Sequence, residues 1–436
     1  MTKIFLRGGK LVLPNEVRET NLLIDEGKIA FIGELDDFEG VEVVDVAGKV
    51  IFPGLIDVHV HFRTPGLEYK EDWLTGSKTA LAGGVTSVFD MPNTQPATTT
   101  LEILRMKKAL IQTQTLINYA CYLGGTADNF SIISAAEEAC GIKIYMGSST
   151  GDLLLTADEK LEEFIRDAKL PLVFHAESEA CLHEVKDSFR GEFDPAAHSQ
   201  LRPAKCAQEA TRKILEWAKK YNKRIHLCHV STKLEMDLVR EFGLEVATAE
   251  VTPHHLFLND DAYGSMANFA RVNPPLRSED DRDALWQGIR EGLITMIATD
   301  HAPHTLEEKR QEYLQAPSGM PGLQTTLPLL LNTVFEGRLT FLDIERLCSR
   351  VPAERFGIVG KGSIEIGNDA DLVIVDPTQE QILRNDDMFT KCGWTPFDGQ
   401  KVHGKVEQTF VNGVKMFDAA EKTFGDNPGK ELKFRR

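Results

Sequence analysis

Eight short apolar runs alternate with amphipathic stretches along the middle of this 436-residue chain, and no other feature restricts its fold as strongly. The runs are Gly54 to His61, Val85 to Met91, Ile117 to Leu123, Ile142 to Met146, Leu172 to His175, Ile225 to Val230, Glu245 to Val251 and Ile294 to Thr299. Most are near-continuously apolar, as strands covered on both faces must be. Helical patterns lie between them at 157–168, 205–219 and 278–291, the last opening on the capping pair Ser278 and Asp281. Eight strand–helix units over about 250 residues predict a closed (β/α)₈ TIM barrel, with a doubly wound open sheet as the alternative. Polar candidates at the carboxyl ends of runs one, four, five, six and eight favour closure, because a barrel gathers those ends on one rim.

The flanks have a different grammar. Residues 1–50 hold short alternating runs punctuated by Gly8-Gly9, Pro14-Asn15 and Glu26-Gly27, and strand patterns return at 361–375 and 406–417 around the Asn412-Gly413 turn signal. Each flank is too short to stand alone. The expectation is one small β-sandwich domain built from residues 1–50 and 356–436, with the barrel occupying 51–355. The charged final dozen residues read as a loose tail.

A net charge of −17 without a basic stripe argues against nucleic acid or an anionic membrane as partner. It also means that an anionic substrate needs a local cationic pocket. No apolar run approaches the roughly 20 residues of a membrane helix, and the amino terminus lacks a signal-peptide core, so a cytoplasmic location is expected. The seven cysteines (121, 140, 181, 206, 228, 348 and 392) are scattered and contain no Cys-x-x-Cys pair. Neither a disulfide framework nor a thiolate zinc site is expected.

His59 and His61 lie one residue apart at the end of the first run, so an extended strand projects both from one face. A bare His-x-His is a weak signal. His175, His229 and Asp300 at the ends of later runs strengthen it, and imidazoles without thiolates suit a catalytic Zn²⁺, Ni²⁺ or Mn²⁺. Lys143 sits inside the fourth run, where the bland role is a lysine snorkelling to solvent. The sharper role is a desolvated amine that reacts with CO₂ to form a carbamate bridging two metals, which two-metal sites hold roughly 3.5–4 Å apart. Asp152 is the competing bridge. Lys143 is favoured because it lies within a strand and Asp152 in the following loop. Asp300 can serve both as a ligand and as a proton shuttle. His254, His255, His183, His198, His226, His301 and His403 are assigned structural roles, and the polar stretch 305–321 is a candidate lid.

Four blocks carry a resemblance: His59-Val60-His61-Phe62-Arg63-Thr64-Pro65-Gly66, Met91-Pro92-Asn93-Thr94, Arg271-Val272-Asn273-Pro274-Pro275-Leu276-Arg277 and Asp300-His301-Ala302-Pro303-His304. Together they resemble the dihydroorotase family of the amidohydrolase superfamily along essentially the whole chain. The resemblance implies reversible cyclisation of N-carbamoyl-L-aspartate to L-dihydroorotate on two Zn²⁺ ions. His59 and His61 would hold one ion, His175 and His229 the other, carboxylated Lys143 would bridge, and Asp300 would be ligand and general acid/base. Arg63, Asn93 and His304 would grip the substrate's α-carboxylate, with Asn273 and backbone near Gly322 against the ring. A homodimer is compatible with this. Rivals are another cyclic amidohydrolase (hydantoinase, dihydropyrimidinase or allantoinase), a catalytically inactive scaffold and a metal-free sugar or phosphate barrel. The scaffold is disfavoured because every ligand position is filled, and the metal-free barrel because it leaves the ligand pattern unexplained.

Overall fold

In the computed structural model, residues 3–34, 40–148, 153–426 and 429–436 are described. The eight runs form the strands Leu55–Val60, Val85–Asp90, Asn118–Cys121 with its continuation Leu123–Gly124, Ile142–Tyr145, Leu172–His175, Ile225–Leu227, Ala247–Val251 and Met296–Ile297. Every adjacent pair is parallel. The ring closes where the His61 amide donates to the His301 carbonyl at 2.9 Å, beside a parallel bridge between Val60 and His301. The barrel is therefore closed, and the open-sheet alternative falls. Its interior is filled by Ile56, Val58, Phe89, Tyr122, Val173 and Met296.

The eighth strand is shorter than its apolar run. The Thr299 amide donates to the Asp57 carboxylate at 3.2 Å instead of extending the ladder, and Asp300 then turns with φ 47°. The three helical patterns appear as Asp158–Asp167, Ala204–Lys220 and Glu279–Arg290, with the Ser278 hydroxyl accepting from the Asp281 amide as the cap signal requires.

Both chain ends share one nine-stranded sheet. Strand Val50–Pro53, which leads directly into the barrel, pairs in parallel with Ile4–Val12 and antiparallel with Leu372–Ile382, so the two flanks meet along it. Ile4, Leu6, Leu22, Ile51, Leu372 and Phe410 pack together as its core. The Asn412-Gly413 turn has φ of 50° and 82°, and a Cβ at Gly413 would lie 2.4 Å from Gly27 Cα, so only glycine fits there.

Two expectations are corrected. The final residues are not loose: Leu432 donates to the Tyr119 carbonyl at 2.9 Å, Val359 to Lys433 and Arg435 to Gly357. Leu432 and Phe434 alternate with charged neighbours and pack beneath the barrel, Phe434 lying 5.8 Å from the Phe89 ring. The charges masked a period-two apolar pattern. Second, Cys181 and Cys206 form a disulfide linking the helices Glu179–Ser188 and Ala204–Lys220. Twenty-five residues separate the pair in sequence, so spacing could not reveal it. The other five cysteines are buried free thiols. Among the described residues, no helix is long and apolar enough to cross a membrane.

Candidate metal centre

The strand ends deliver the predicted polar residues to one buried cluster. His59 Nε2 and His61 Nε2 approach the same Asp300 oxygen, at 3.3 and 2.9 Å. His175 Nδ1 lies 3.1 Å from His229 Nε2, and the His59 and His229 rings are 5.2 Å apart. Donor atoms of His59, His229 and Asp300 all fall within 4.8 Å of one another. Arg63, His229 and Asp300 each have positive φ (63°, 33° and 47°), a conformation that costs roughly 1–3 kcal/mol per residue and clusters at functional sites.

The donor chemistry fits divalent cations. Asn93 Oδ1 lies 2.6 Å from His61 Nδ1 and Glu250 Oε1 lies 2.5 Å from His59 Nδ1, so both acceptors hold the ring proton on Nδ1 and turn the Nε2 lone pairs toward Asp300. Burial pushes the His61 imidazole down to about 4, against the opposing pull of Asp300, so it is neutral near pH 7. Its lone pair thus faces an Asp300 carboxylate that His59 and His61 hold well below the usual range despite burial. Two acceptors 2.9 Å apart call for a cation. At His59 burial and Lys143 oppose protonation, but Glu250 and Asp300 outweigh them and push it up to about 10, so a proton and a metal compete for this nitrogen. Among the described residues His229 Nδ1 is buried without a hydrogen-bond partner, and burial followed by His175 holds the ring neutral.

Lys143 is fully buried and does not snorkel. Its Nζ donates to Cys228 Sγ at 2.9 Å and lies 5.1 Å from the Tyr145 ring centroid. Asp152 lies outside the described residues. The sequence pattern missed Glu250, which also bonds His226 Nε2 at 2.9 Å and the His229 amide at 3.2 Å, and Glu177, which bonds His175 Nε2 at 2.9 Å and pairs with Arg202. A signal for Glu250 was present, since it is the lone carboxylate within an otherwise uncharged buried strand, Ala247–Val251.

Beside this cluster lies a cationic group. Arg63 is 2% exposed, its Nε donates to the Pro303 carbonyl at 3.2 Å, and one terminal nitrogen is 3.1 Å from His304 Nε2. Burial, then Arg63, hold His304 well below the usual histidine range. Both Arg63 contacts are therefore neutral. Asn93 is engaged with His61, Asn273 Oδ1 lies 3.1 Å from His198 Nε2, and the Gly322 amide donates to His301 Nδ1 at 3.1 Å. Of the expected substrate contacts, Arg63 and His304 touch each other directly. His226 and His255 take structural bonds, the latter to Thr252 and the Pro274 and Pro275 carbonyls, while His254 Nε2 is buried without a hydrogen-bond partner. The candidate lid is well anchored: Arg271 bonds the Tyr313 and Ala316 carbonyls, and Lys309 bonds those of Pro317 and Gly319.

Residues 50–416 match the amidohydrolase family. The chain is an amidohydrolase. It is 38% identical over 434 residues to a dihydroorotase of Pyrococcus furiosus, covering 98% of this chain and 97% of that one. To a dihydroorotase of Methanosarcina acetivorans it is 37% identical over 419 residues, covering 92% and 89%. Among solved structures, the L-hydantoinase (dihydropyrimidinase) from Arthrobacter aurescens superposes on the amidohydrolase over 100% of both chains with a TM-score of 0.93 and 28% identity. Sequence relatives and structural neighbours thus bear two different names on one fold, and the amidohydrolase's own site must discriminate between them.

Proposed function

We propose that this amidohydrolase is a dihydroorotase, interconverting N-carbamoyl-L-aspartate and L-dihydroorotate. The observation that carries the choice is Arg63: a buried guanidinium, beside the histidine cluster, whose polar neighbours at 3.2 and 3.1 Å are the Pro303 carbonyl and the neutral His304 imidazole. Asp300, Asp90 and Glu308 act on Arg63 only through space. Burying a cation that has no carboxylate in hydrogen-bond contact among the described residues is costly, and a substrate carboxylate offsets that cost with a bidentate, charge-assisted pair. Hydantoin, dihydrouracil and allantoin rings carry no carboxylate and give no use for it. The 34–38% identical relatives named dihydroorotase support the same choice.

In this proposal His59 and His61 would hold one Zn²⁺ and His175 and His229 a second, with Lys143, carboxylated on Nζ, or alternatively Asp152, as the ligand common to both. When bound, the ions supply Lewis acidity at the scissile carbonyl and an activated water. Asp300, ionised and held between His59 and His61, takes the proton of the attacking water and passes it to the departing ring nitrogen during ring opening. In the biosynthetic direction it takes the proton from the carbamoyl nitrogen as that nitrogen attacks the side-chain carboxyl carbon, and returns it to the carboxyl oxygen, whose bond to that carbon breaks as it leaves as water. Arg63 and His304 hold the α-carboxylate so that the reacting carbonyl stays over the histidine cluster.

The deciding experiment is ring opening of L-dihydroorotate, followed by its ultraviolet absorbance, before and after chelation and zinc readdition. Metal-dependent turnover with hydantoin and allantoin ignored is expected. A protein that holds two metals yet turns over hydantoin and leaves dihydroorotate untouched would transfer the chain to the neighbouring cyclic amidases. The bridge has its own test: Lys143→Ala should lose bound metal and activity together. Full metal content in Lys143→Ala with loss in Asp152→Ala would move the bridge to Asp152.

A further inference from the structure

Lys70 lies in the loop after the first barrel strand, ten residues beyond it, and its side chain is nearly buried. Its Nζ is 3.0 Å from His304 Nδ1 and 2.8 Å from Glu308 Oε1. Glu308 is itself fixed, accepting from the Thr305 amide in a capping box at 3.1 Å and from the Tyr69 hydroxyl at 3.0 Å. We propose that Lys70 is a positioning residue that sets the tautomer of His304 and thereby makes the Arg63–His304 pair a two-donor clamp for a carboxylate. The proposal rests on the functional assignment above.

The argument is one of donors and acceptors. An ammonium has three donors and no acceptor, so the His304 nitrogen facing Lys70 must present its lone pair. In a neutral imidazole the proton then sits on Nε2. Glu308 Oε2, the acceptor that could reverse this, is 3.6 Å from Nδ1, beyond hydrogen-bond reach, whereas Lys70 is within it. His304 Nε2 accordingly donates to the Ser318 carbonyl at 3.0 Å. Arg63 approaches the same nitrogen at 3.1 Å, and a guanidinium is also a donor only. Two donors therefore face each other, an arrangement that an anionic oxygen accepting from both would satisfy. With the opposite tautomer, His304 would accept from Arg63 and present a lone pair to the incoming carboxylate. Lys70 thus decides whether His304 attracts or repels the substrate without touching it.

The test uses the metal-loaded enzyme with L-dihydroorotate as probe. Lys70→Met should raise KM by about 10- to 100-fold, the worth of a hydrogen bond to a charged group, with the smaller share of the loss in kcat. Lys70→Arg, also donor only, should recover most of that KM. In spectra of ¹⁵N-histidine-labelled protein, the His304 signal, identified by its absence in His304→Asn, should show a protonated Nε2 in the wild type and in Lys70→Arg, and a shift toward the other tautomer in Lys70→Met. A role in packing alone would not produce a tautomer change rescued by arginine. If Lys70→Met fails to fold, Glu308→Gln, which loosens Lys70, should raise KM about 3- to 10-fold. An unchanged KM in folded, metal-loaded Lys70→Met, or a protonated Nδ1 in the wild type, would overturn the proposal. If the wild type does not act on dihydroorotate, the functional assignment fails, while the ¹⁵N spectra still decide the link between Lys70 and His304.

Discussion

At the histidine cluster carboxylates surround the imidazoles: Asp300 faces Nε2 of both His59 and His61, while Glu250 behind His59 and Glu177 behind His175 accept ring N–H groups. At the neighbouring clamp the sign reverses. Arg63 contacts a carbonyl and a neutral ring, and Lys309, buried nearby, donates to the carbonyls of Arg271, Pro317 and Gly319. On a chain of net charge −17 such a cationic patch is a local exception. One half of the rim is thus built to receive cations and the other to receive an anion. A zwitterionic division of this kind suits a reaction in which metals activate one end of a substrate while its carboxylate is held at the other.

The two halves can be broken separately. Asp300→Ala removes the acceptor shared by two histidines and the proton shuttle together, and kcat for ring opening should fall by on the order of 10³- to 10⁴-fold. Retention of activity within about tenfold would take Asp300 out of the chemistry. Arg63→Met strikes only the anion-receiving half: kcat/KM toward N-carbamoyl-L-aspartate should fall by about 100-fold or more, while metal content, measured on the same sample, stays as in the wild type. If efficiency is unchanged the clamp is wrong, and the contrast between the halves has no functional meaning. If metal is lost as well, the halves are one coupled site.

The two halves also differed in how readily they could be read from the chain. His59, His61, His175, His229 and Asp300 were legible because a barrel converts strand-end position into location, so local sequence position was enough. Lys143 was placed for the same reason, and its full burial sets aside the role of a lysine snorkelling to solvent. Arg63 and His304 came from a motif, and their contact crosses 241 residues, beyond any local pattern. Glu250 and Lys70 were missed because each acts through a hydrogen bond to a residue distant in sequence, and Glu177 because its bond to His175, two residues away, needs the chain to turn after the strand. Hydrophobic periodicity likewise gave the barrel and the shared sheet, but it could not register the Cys181–Cys206 disulfide or the short Leu432, Phe434 alternation under the barrel.

Glu177 offers the smallest and most selective perturbation, since it lies behind His175 without facing the clamp. Burial alone would raise its carboxyl, but Arg202 foremost and then His175 outweigh that and hold it below the usual carboxylate range. A group whose folded-state pKa is depressed adds stability at pH values above its unfolded value, and that stability is lost as pH falls through the folded one. Glu177→Gln keeps an acceptor for Arg202 but gives up the charge, which should destabilise the protein by about 2 kcal/mol at pH 7 and lower Tm by a few degrees. Measured from pH 7 downward, the Tm gap to wild type should begin to narrow once the pH drops below about 4.5, the ordinary glutamate value, as the carboxylate of the unfolded chain takes up a proton that the folded one still refuses. A gap that stays constant with pH would mean that packing, not charge, is what Glu177 contributes. Because Arg63 and His304 are untouched, KM for dihydroorotate should move less than metal affinity, measured by competition with a chelator. The reverse ordering would show that the cationic and anionic halves of the rim are not separable.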